Sequence, residues 1–151
     1  NIQVLQEKLA KIGVTSTLRS RMQEETVPER VVLLDTIGEL AVSYAFARAA
    51  FVGGTLVPIG GHNLMEPALA TVPVCFGPYT SNVMEAAQHL LQSGGGVQVK
   101  TASELAEAFQ KFMDRDFAKE AGKKAHESVL SMKGATDKTV QGVLKWWPSA
   151  S

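Results

Sequence analysis

Two glycine pairs constrain the fold of this chain more than any other feature. Gly53-Gly54 and Gly60-Gly61 follow the short apolar run 49–52 and precede the segment Leu64-Met-Glu-Pro-Ala-Leu-Ala. Glycine allows backbone conformations and close approaches that a Cβ would forbid, so we expect the chain to turn there. The apolar run is typical of a buried strand, and Pro67 is typical of the first turn of a helix. The sequence therefore predicts a strand, a tight turn and a helix.

The turn in front of this helix predicts an anion site. Asn63 is expected to cap the helix, and the N–H groups at Gly60, Gly61 and His62, together with the helix dipole, favour a phosphate. Glu66 lies one turn further, where we expect it to accept hydrogen bonds from sugar hydroxyls, as acidic residues do for ribose in other nucleotide sites. Two alternatives stay open. The glycines and Asn63 could serve only the turn, and Glu66 could be a solvated carboxylate favoured by the dipole.

Length and composition predict an ordinary globular chain. At 151 residues with a formal net charge of zero, we expect one domain with its own core and no general affinity for nucleic acid. No run approaches the ~18 apolar residues of a membrane-spanning helix, so the chain is expected to be soluble. It begins at Asn1 directly in a helical pattern, and we expect it to be a piece of a longer polypeptide.

Strand and helix patterns alternate along the chain. Strands are predicted at five places, 15–18, 31–34, 50–52, 74–76 and 97–99. Helices are predicted at 2–12, 35–48, 64–71 and 82–92, and a helical segment of several pieces at 102–147. Val31 to Leu34 is so apolar that we expect burial on both faces. The alternation predicts an α/β fold, a Rossmann-like parallel sheet flanked by helices with right-handed crossovers.

Three distinctive loops follow predicted strands, at 35–39, 53–63 and 77–82. In parallel sheets, ligands bind outside the carboxyl ends of the strands. We therefore expect the three loops to meet at one edge of the sheet and to form the binding site there.

Three ordered segments resemble those of the 3-deoxy-D-manno-octulosonic acid (Kdo) transferases of lipopolysaccharide synthesis. They are Asp35-Thr-Ile-Gly-Glu-Leu, Phe51-Val-Gly-Gly-Thr-Leu-Val-Pro-x-Gly-Gly-His-Asn-x-x-Glu-Pro-Ala and Phe76-Gly-Pro-Tyr-Thr-Ser-Asn. The resemblance implies the C-terminal half of a GT-B glycosyltransferase, with residues 1–151 as a single domain that binds CMP-Kdo. It places the acceptor domain, the membrane-contacting surface and the carboxylate general base in a missing N-terminal half.

The resemblance also implies the reaction and its setting. Kdo would pass from CMP-Kdo to a lipid A precursor at the cytoplasmic face of the bacterial inner membrane, with no cofactor and with no catalytic residue in this fragment. Two alternatives stay open: the donor domain of another GT-B transferase that uses a UDP-sugar, and a non-catalytic nucleotide-binding module.

The candidate substrate-binding residues lie in or beside the three loops. They are Thr36, Ile37, Gly38, Glu39, Gly53, Gly54, Thr55, Gly60, Gly61, His62, Asn63, Glu66 and Asn82. The resemblance implies that the first four contact the base and phosphate, although Thr36 and Glu39 also fit a helix capping box. Gly53, Gly54 and Thr55 would line the sugar-phosphate side or serve only the backbone.

His62 and Asn82 each have more than one possible role. His62 could donate to the phosphate or to the Kdo carboxylate, or it could satisfy the loop backbone. Asn82 could reach the donor, but capping its own helix is the preferred interpretation. We expect no metal, because neither His89 nor His126 lies near a second ligand motif. The single cysteine, Cys75, is expected to be a buried structural thiol.

Overall fold

The structure is a computed structural model that describes residues 2–23 and 31–146, with the side chains of the last helix described as far as Met132. The chain divides into two compact units, Asn1–Ser43 and Tyr44–Ser151. Whether residues 1–151 act as a single domain stays a prediction. Among the described residues, no helix combines the length and the apolar character needed to cross a membrane.

The first unit pairs two short parallel strands. Its elements are α1 (Ile2–Lys11), β1 (Ser16–Leu18), a 3-10 turn (Arg19–Arg21), β2 (Val31–Leu33) and most of α2 (Leu40–Tyr44). Ser16 lies opposite Val31, and Leu18 lies opposite Leu33. The expected burial of β2 on both faces is wrong, because Val32 is 39% exposed whereas Leu33 is 9% exposed.

The predicted helix at 35–48 is also much shorter than expected. Only Leu40–Tyr44 is helical. Gly38 has φ +88°, which is incompatible with a right-handed helix, so the helix begins after it. The carboxylate of Asp35, a candidate cap, instead accepts hydrogen bonds from the backbone and hydroxyl of Ser20 at 2.8 and 2.5 Å.

The second unit contains a three-stranded parallel sheet with helices on both faces. Its elements are β3 (Ala50–Phe51), α3 (Met65–Leu69), β4 (Val74–Phe76), α4 (Met84–Ser93), β5 (Gly96–Gln98), α5 (Ala102–Phe112) and α6 (Arg115–Trp146). The strand order is β3-β4-β5, and both pairings are parallel. These features confirm the expected α/β class with a parallel sheet flanked by helices.

The central strand β4 separates two hydrophobic clusters. Val74 and Phe76 belong to a cluster with residues of α3, α4 and α6, and Cys75 belongs to a cluster with residues of α5 and the start of α6. All three residues of β4 are 0% exposed. Alternate side chains of a strand point to opposite faces, so this strand is buried on both sides, as a central strand of a covered parallel sheet should be.

Helix α6 packs closely on the rest of the second unit at three points. A Cβ on Gly95 would lie 2.3 Å from the amide nitrogen of Ala125, and a Cβ on Gly122 would lie 2.1 Å from the carbonyl oxygen of Thr71. The imidazole Nδ1 of His126 lies 2.9 Å from the carbonyl oxygen of Leu69. The sequence predicted separate helices within 118–147, but α6 is continuous from Arg115 to Trp146, and residue 147 lies outside the described residues.

Candidate functional site

The glycine turn after β3 has the conformation that its sequence predicts. Gly54, Gly60 and Gly61 have φ values of +73°, +95° and +84°. A Cβ on Gly54 would lie 3.0 Å from Cδ2 of His62, and a Cβ on Gly60 would lie 2.3 Å from Nδ2 of Asn82. These three glycines are therefore explained by the turn itself. Gly53 differs, because it is exposed and a Cβ there would meet nothing within 4 Å.

Thr55 stabilises the turn from the protein interior and is not exposed at the surface. Its side chain is 0% exposed. The hydroxyl donates to the carbonyl of Val52 at 2.6 Å and accepts from the amide of Gly77 at 2.8 Å. The expectation that Thr55 lines a ligand is therefore corrected: its hydrogen-bonding capacity is used to join two loops.

The glycine turn and the loop after β4 lie in contact, as the sheet-edge argument predicts for these two loops. The amide of Tyr79 donates to the carbonyl of Thr55 at 3.0 Å, and the amide of Asn82 donates to the carbonyl of Gly60 at 3.1 Å. The preferred interpretation of Asn82 as a cap is wrong, because α4 begins at Met84 and its N-cap residue is Val83. The exposed side chain of Asn82 instead lies against Gly60.

His62, Asn63 and Glu66 form an exposed polar surface at this edge. The side-chain oxygen of Asn63 accepts from the amide of Met65 at 2.9 Å, and its Nδ2 donates to the carboxylate of Glu66 at 3.1 Å. Asn63 therefore accepts from the first amide of α3 and orients the carboxylate, but the N-cap residue is Leu64, so the prediction of Asn63 as the N-cap is wrong. The amide of His62 donates to the carbonyl of Gly53 at 3.4 Å, which ties the two glycine pairs together.

Two parts of the predicted anion site need correction. Helix α3 has five residues, Met65–Leu69, and not the eight expected, so its macrodipole is small. Gly60 is buried, and the amide of His62 donates to the carbonyl of Gly53, so these two predicted amides are not open to an anion. The amides of Gly61 and Asn63 have no acceptor within the described part of the chain, so they can donate to an anion.

Tyr44 belongs to the surroundings of Glu66, and the motifs gave no signal for it. Burial raises the pKa of the Tyr44 phenol, and the nearby Glu66 carboxylate raises it further. The phenol therefore stays protonated and can donate a hydrogen bond at neutral pH. Tyr44 precedes Glu66 by more than twenty residues in the sequence, so only the fold reveals their proximity.

The loop 35–39 lies in the first unit and is described by itself. Thr36 donates its hydroxyl hydrogen to the carboxylate of Glu39, which also lies 3.0 Å from the guanidinium of Arg19. This link joins two side chains, whereas a capping box would bond each side chain to a backbone amide. Ile37 is 103% exposed, and Gly38 has open space around it. The contact of this loop with a nucleotide stays a prediction.

The described residues contain no group of three or more histidine, cysteine, aspartate or glutamate side chains that could hold a metal ion. Cys75 is fully buried, as predicted, and burial raises the pKa of its thiol to about 11. The exposed functional groups at the glycine turn are backbone amides, the imidazole of His62 and the carboxylate of Glu66.

Comparisons with known proteins find glycosyltransferases. No protein-family model matches the chain. It is 35% identical to the 3-deoxy-D-manno-octulosonic acid transferase of Aquifex aeolicus over 70% of its length, and 44% identical to a bifunctional glycosyltransferase/methyltransferase of Fusobacterium nucleatum over 56%. These matches span only 28% and 13% of the two relatives.

A solved structure extends the match to three dimensions. The C-terminal CMP-Kdo binding domain of WaaA from Acinetobacter baumannii superposes with a TM-score of 0.73 at 26% identity. The match covers 82% of this chain and 65% of that domain. Sequence and fold therefore agree that this chain belongs to the 3-deoxy-D-manno-octulosonic acid transferase family and corresponds to its C-terminal domain.

Proposed function

We propose that this chain is the donor-binding half of an enzyme that transfers Kdo from CMP-Kdo to a lipid A precursor in lipopolysaccharide biosynthesis. The full-length protein would work at the cytoplasmic face of the inner membrane, where the lipid acceptor is available. The acceptor site and the general base would lie in the N-terminal half, which the family relationship implies.

One observation carries the assignment of the donor site. His62, Asn63 and Glu66 are exposed together at the carboxyl edge of β3 and β4. The side-chain Nδ2 of Asn63 donates a hydrogen bond to the Glu66 carboxylate. Ligands of parallel α/β sheets bind at this edge. The second support is the resemblance of this chain to the C-terminal CMP-Kdo binding domain of WaaA from Acinetobacter baumannii.

Each group at this edge has a chemical role in the proposal. Hydrogen bonds to the phosphate or to the Kdo carboxylate come from the backbone amides of Gly61 and Asn63 and from the imidazole of His62. Glu66 accepts hydrogen bonds from the ribose hydroxyls, and Tyr44 supplies a neutral donor beside it. Asn82 and Gly53 border the same surface. In the first unit, a contact of Thr36, Ile37, Gly38 and Glu39 with the base stays a separate prediction.

The reaction breaks the bond between Kdo and the CMP phosphate, and CMP departs with the bonding electron pair. Preorganised N–H donors stabilise the negative charge that develops on the leaving phosphate. The acceptor hydroxyl loses its proton to a carboxylate of the N-terminal half. We therefore expect this chain alone to bind CMP weakly and to catalyse no transfer.

Calorimetric titration of the folded chain with CMP and UMP tests the proposal. We expect CMP to bind more tightly than UMP, and we expect Glu66→Gln to weaken CMP binding about tenfold, because a hydrogen bond to a charged group is lost. Glu85→Gln is the matched control, since Glu85 is an exposed first-turn carboxylate of α4. Tighter binding of UMP would select a UDP-sugar transferase. Absence of heat with both nucleotides would refute the donor-site assignment.

A further inference from the structure

A second concave site lies at the opposite edge of the three-stranded sheet. This cavity of about 390 Å³ is lined by residues that precede β3, residues that precede β4 and the first turns of α6; they are Phe46, Ala47, Arg48, Thr71, Pro73, Arg115, Ala118 and Lys119. Strands β3 and β4 are parallel, so the segments before them share one edge and the glycine turn lies at the other. The cavity is therefore separate from the donor site.

The lining is positively charged and contains no carboxylate. Arg48, Arg115 and Lys119 contribute three cations, and none of them forms a salt bridge among the described residues. Arg115 and Lys119 are four residues apart on α6, a spacing at which like charges destabilise a helix. An anion in the cavity would relieve this repulsion.

The cavity also contains hydrogen-bond donors in a defined arrangement. The guanidinium of Arg48 is held by the carbonyl of Met113 at 3.1 Å, at the end of α5, which leaves its other N–H groups available. Helix α6 begins at this edge, where the carboxylate of Asp114 accepts from the amides of Asp116 and Phe117 at 3.0 Å, so side chains and not the helix terminus supply the donors of the cavity.

Thr71 adds backbone strain to the same lining. It is the one non-glycine residue with a positive φ among the described residues, at +64°, and a β-branched side chain is costly there. The carbonyl of Thr71 is pressed against Gly122, which fixes the strained conformation. Two backbone bonds, from the amide of Thr71 to the carbonyl of Ala68 and from the amide of Val72 to the carbonyl of Pro67, show that this conformation ends α3. The exposed hydroxyl of Thr71 has no partner among the described residues.

We propose that this cavity is a second anion site, which binds a phosphate group through Arg48, Arg115, Lys119 and Thr71. Phosphate matches three cations and a hydroxyl, because its oxygens accept several charge-assisted hydrogen bonds at once. Phe46, which is 86% exposed at the rim, provides an apolar surface next to the cations. The group could belong to a free phosphate compound or to a phospholipid headgroup, and the experiment separates these sources.

The test is a titration of the whole ¹⁵N-labelled chain with inorganic pyrophosphate, followed by amide chemical shifts. We expect saturable shifts at Thr71 and Lys119, and about a tenfold loss of affinity in the double variant Arg115→Gln/Lys119→Gln. The control is Lys123→Gln/Lys124→Gln, which removes two exposed charges from the same helix outside the cavity. Arg48→Gln gives an independent variant from another element.

A parallel arm sediments the chain with vesicles of phosphatidylglycerol or of phosphatidylcholine. Binding to phosphatidylglycerol alone, lost in the cavity variants and kept in the control, would identify a lipid headgroup as the source of the phosphate. Shifts with pyrophosphate but no sedimentation would identify a free phosphate compound. If neither probe binds, or if cavity and control variants respond alike, the proposal is wrong. CMP binding should be unchanged in every variant, which keeps this test independent of the donor site.

Discussion

At the scale of single residues, Asp35 has the clearest titration behaviour. Hydrogen bonds from the hydroxyl and the backbone amide of Ser20 lower the pKa of its carboxyl below the usual 3.8. A lowered folded-state pKa means that the contribution to stability is present above the unfolded pKa and is lost as the pH falls through the folded one. We expect Ser20→Ala to move the Asp35 midpoint back toward 3.8 in a carboxyl NMR titration. A midpoint that does not move would show that Ser20 is not the cause.

Cys75 offers a second prediction at this scale. Burial raises the pKa of its thiol to about 11, so at pH 8 only about one thiol in a thousand is ionised, and the side chain is 0% exposed. We expect an alkylating reagent to modify the folded chain at least ~100-fold more slowly than the urea-unfolded chain. Equal rates in the two states, measured by mass spectrometry, would contradict the burial of β4.

Thr55 shows what a sequence reveals about a residue and what it does not. Its position between two glycine pairs marked it as part of the site, and the structure shows it buried within the turn that these pairs form. Its role was mistaken, because a buried hydroxyl and an exposed one look the same in a sequence. The partner that decides the role, Gly77, lies 22 residues further along the chain.

Removal of the Thr55 hydroxyl should loosen the turn. Thr55→Val keeps the shape of the side chain but leaves the buried amide of Gly77 without its acceptor, at a cost of about 2 kcal/mol in the free energy of unfolding. Thr55→Ser is the matched control, because it keeps the hydroxyl. Urea unfolding measures both, and a Val variant as stable as the Ser variant would exclude this role.

At the scale of elements, the sequence located the strands of the second unit well and the short helices less well. Val74–Phe76 was predicted to the residue, because a central strand buried on both faces gives an uninterrupted apolar run. Helices α2 and α3 are shorter than predicted. The positive φ of Gly38 delays the start of α2, and α3 is little more than one turn between two close loops. Gly134 did not interrupt α6, because one glycine in a helix costs only about 1 kcal/mol.

The contact between the two loops depends on a glycine outside the pairs. A Cβ on Gly77 would lie 2.1 Å from the carbonyl oxygen of Thr55, and backbone atoms cannot move aside as a side chain can. We expect Gly77→Ala to lower the free energy of unfolding by about 3 kcal/mol. Gly53→Ala is the control, because nothing lies within 4 Å of its Cβ, and it should change stability by less than about 0.5 kcal/mol. Similar urea midpoints for the two variants would contradict the observed packing.

At the scale of the whole molecule, the hydrophobic core is unevenly distributed. Every residue of both core clusters lies in the second unit, whereas Leu33 is the buried hydrophobic residue among the described part of the first. Local opening is easiest where few apolar contacts are lost. The sequence did not predict this difference, because Val31 to Leu34 is as apolar as the run around Cys75.

Amide hydrogen exchange should therefore differ between the two units. We expect the amides of β4 and α4 to exchange at least ~100-fold more slowly than those of β1 and β2, since the first pair opens only when the larger core does. Peptide-level mass spectrometry of the intact chain measures both regions at once. Comparable protection of the two sheets would show that the cores are equally stable.

The close approaches of α6 at Gly95 and Gly122 also guide protein engineering. Backbone meets backbone at both points, so the helix can neither slide along its axis nor rotate without a steric collision. Libraries that aim to alter this domain should leave Gly122 and Ala125 untouched and diversify the outward-facing Lys123 and Glu127. Fluorescent dyes or affinity tags attached on that outer side would leave the packing of the helix on the sheet and its neighbouring helices unchanged.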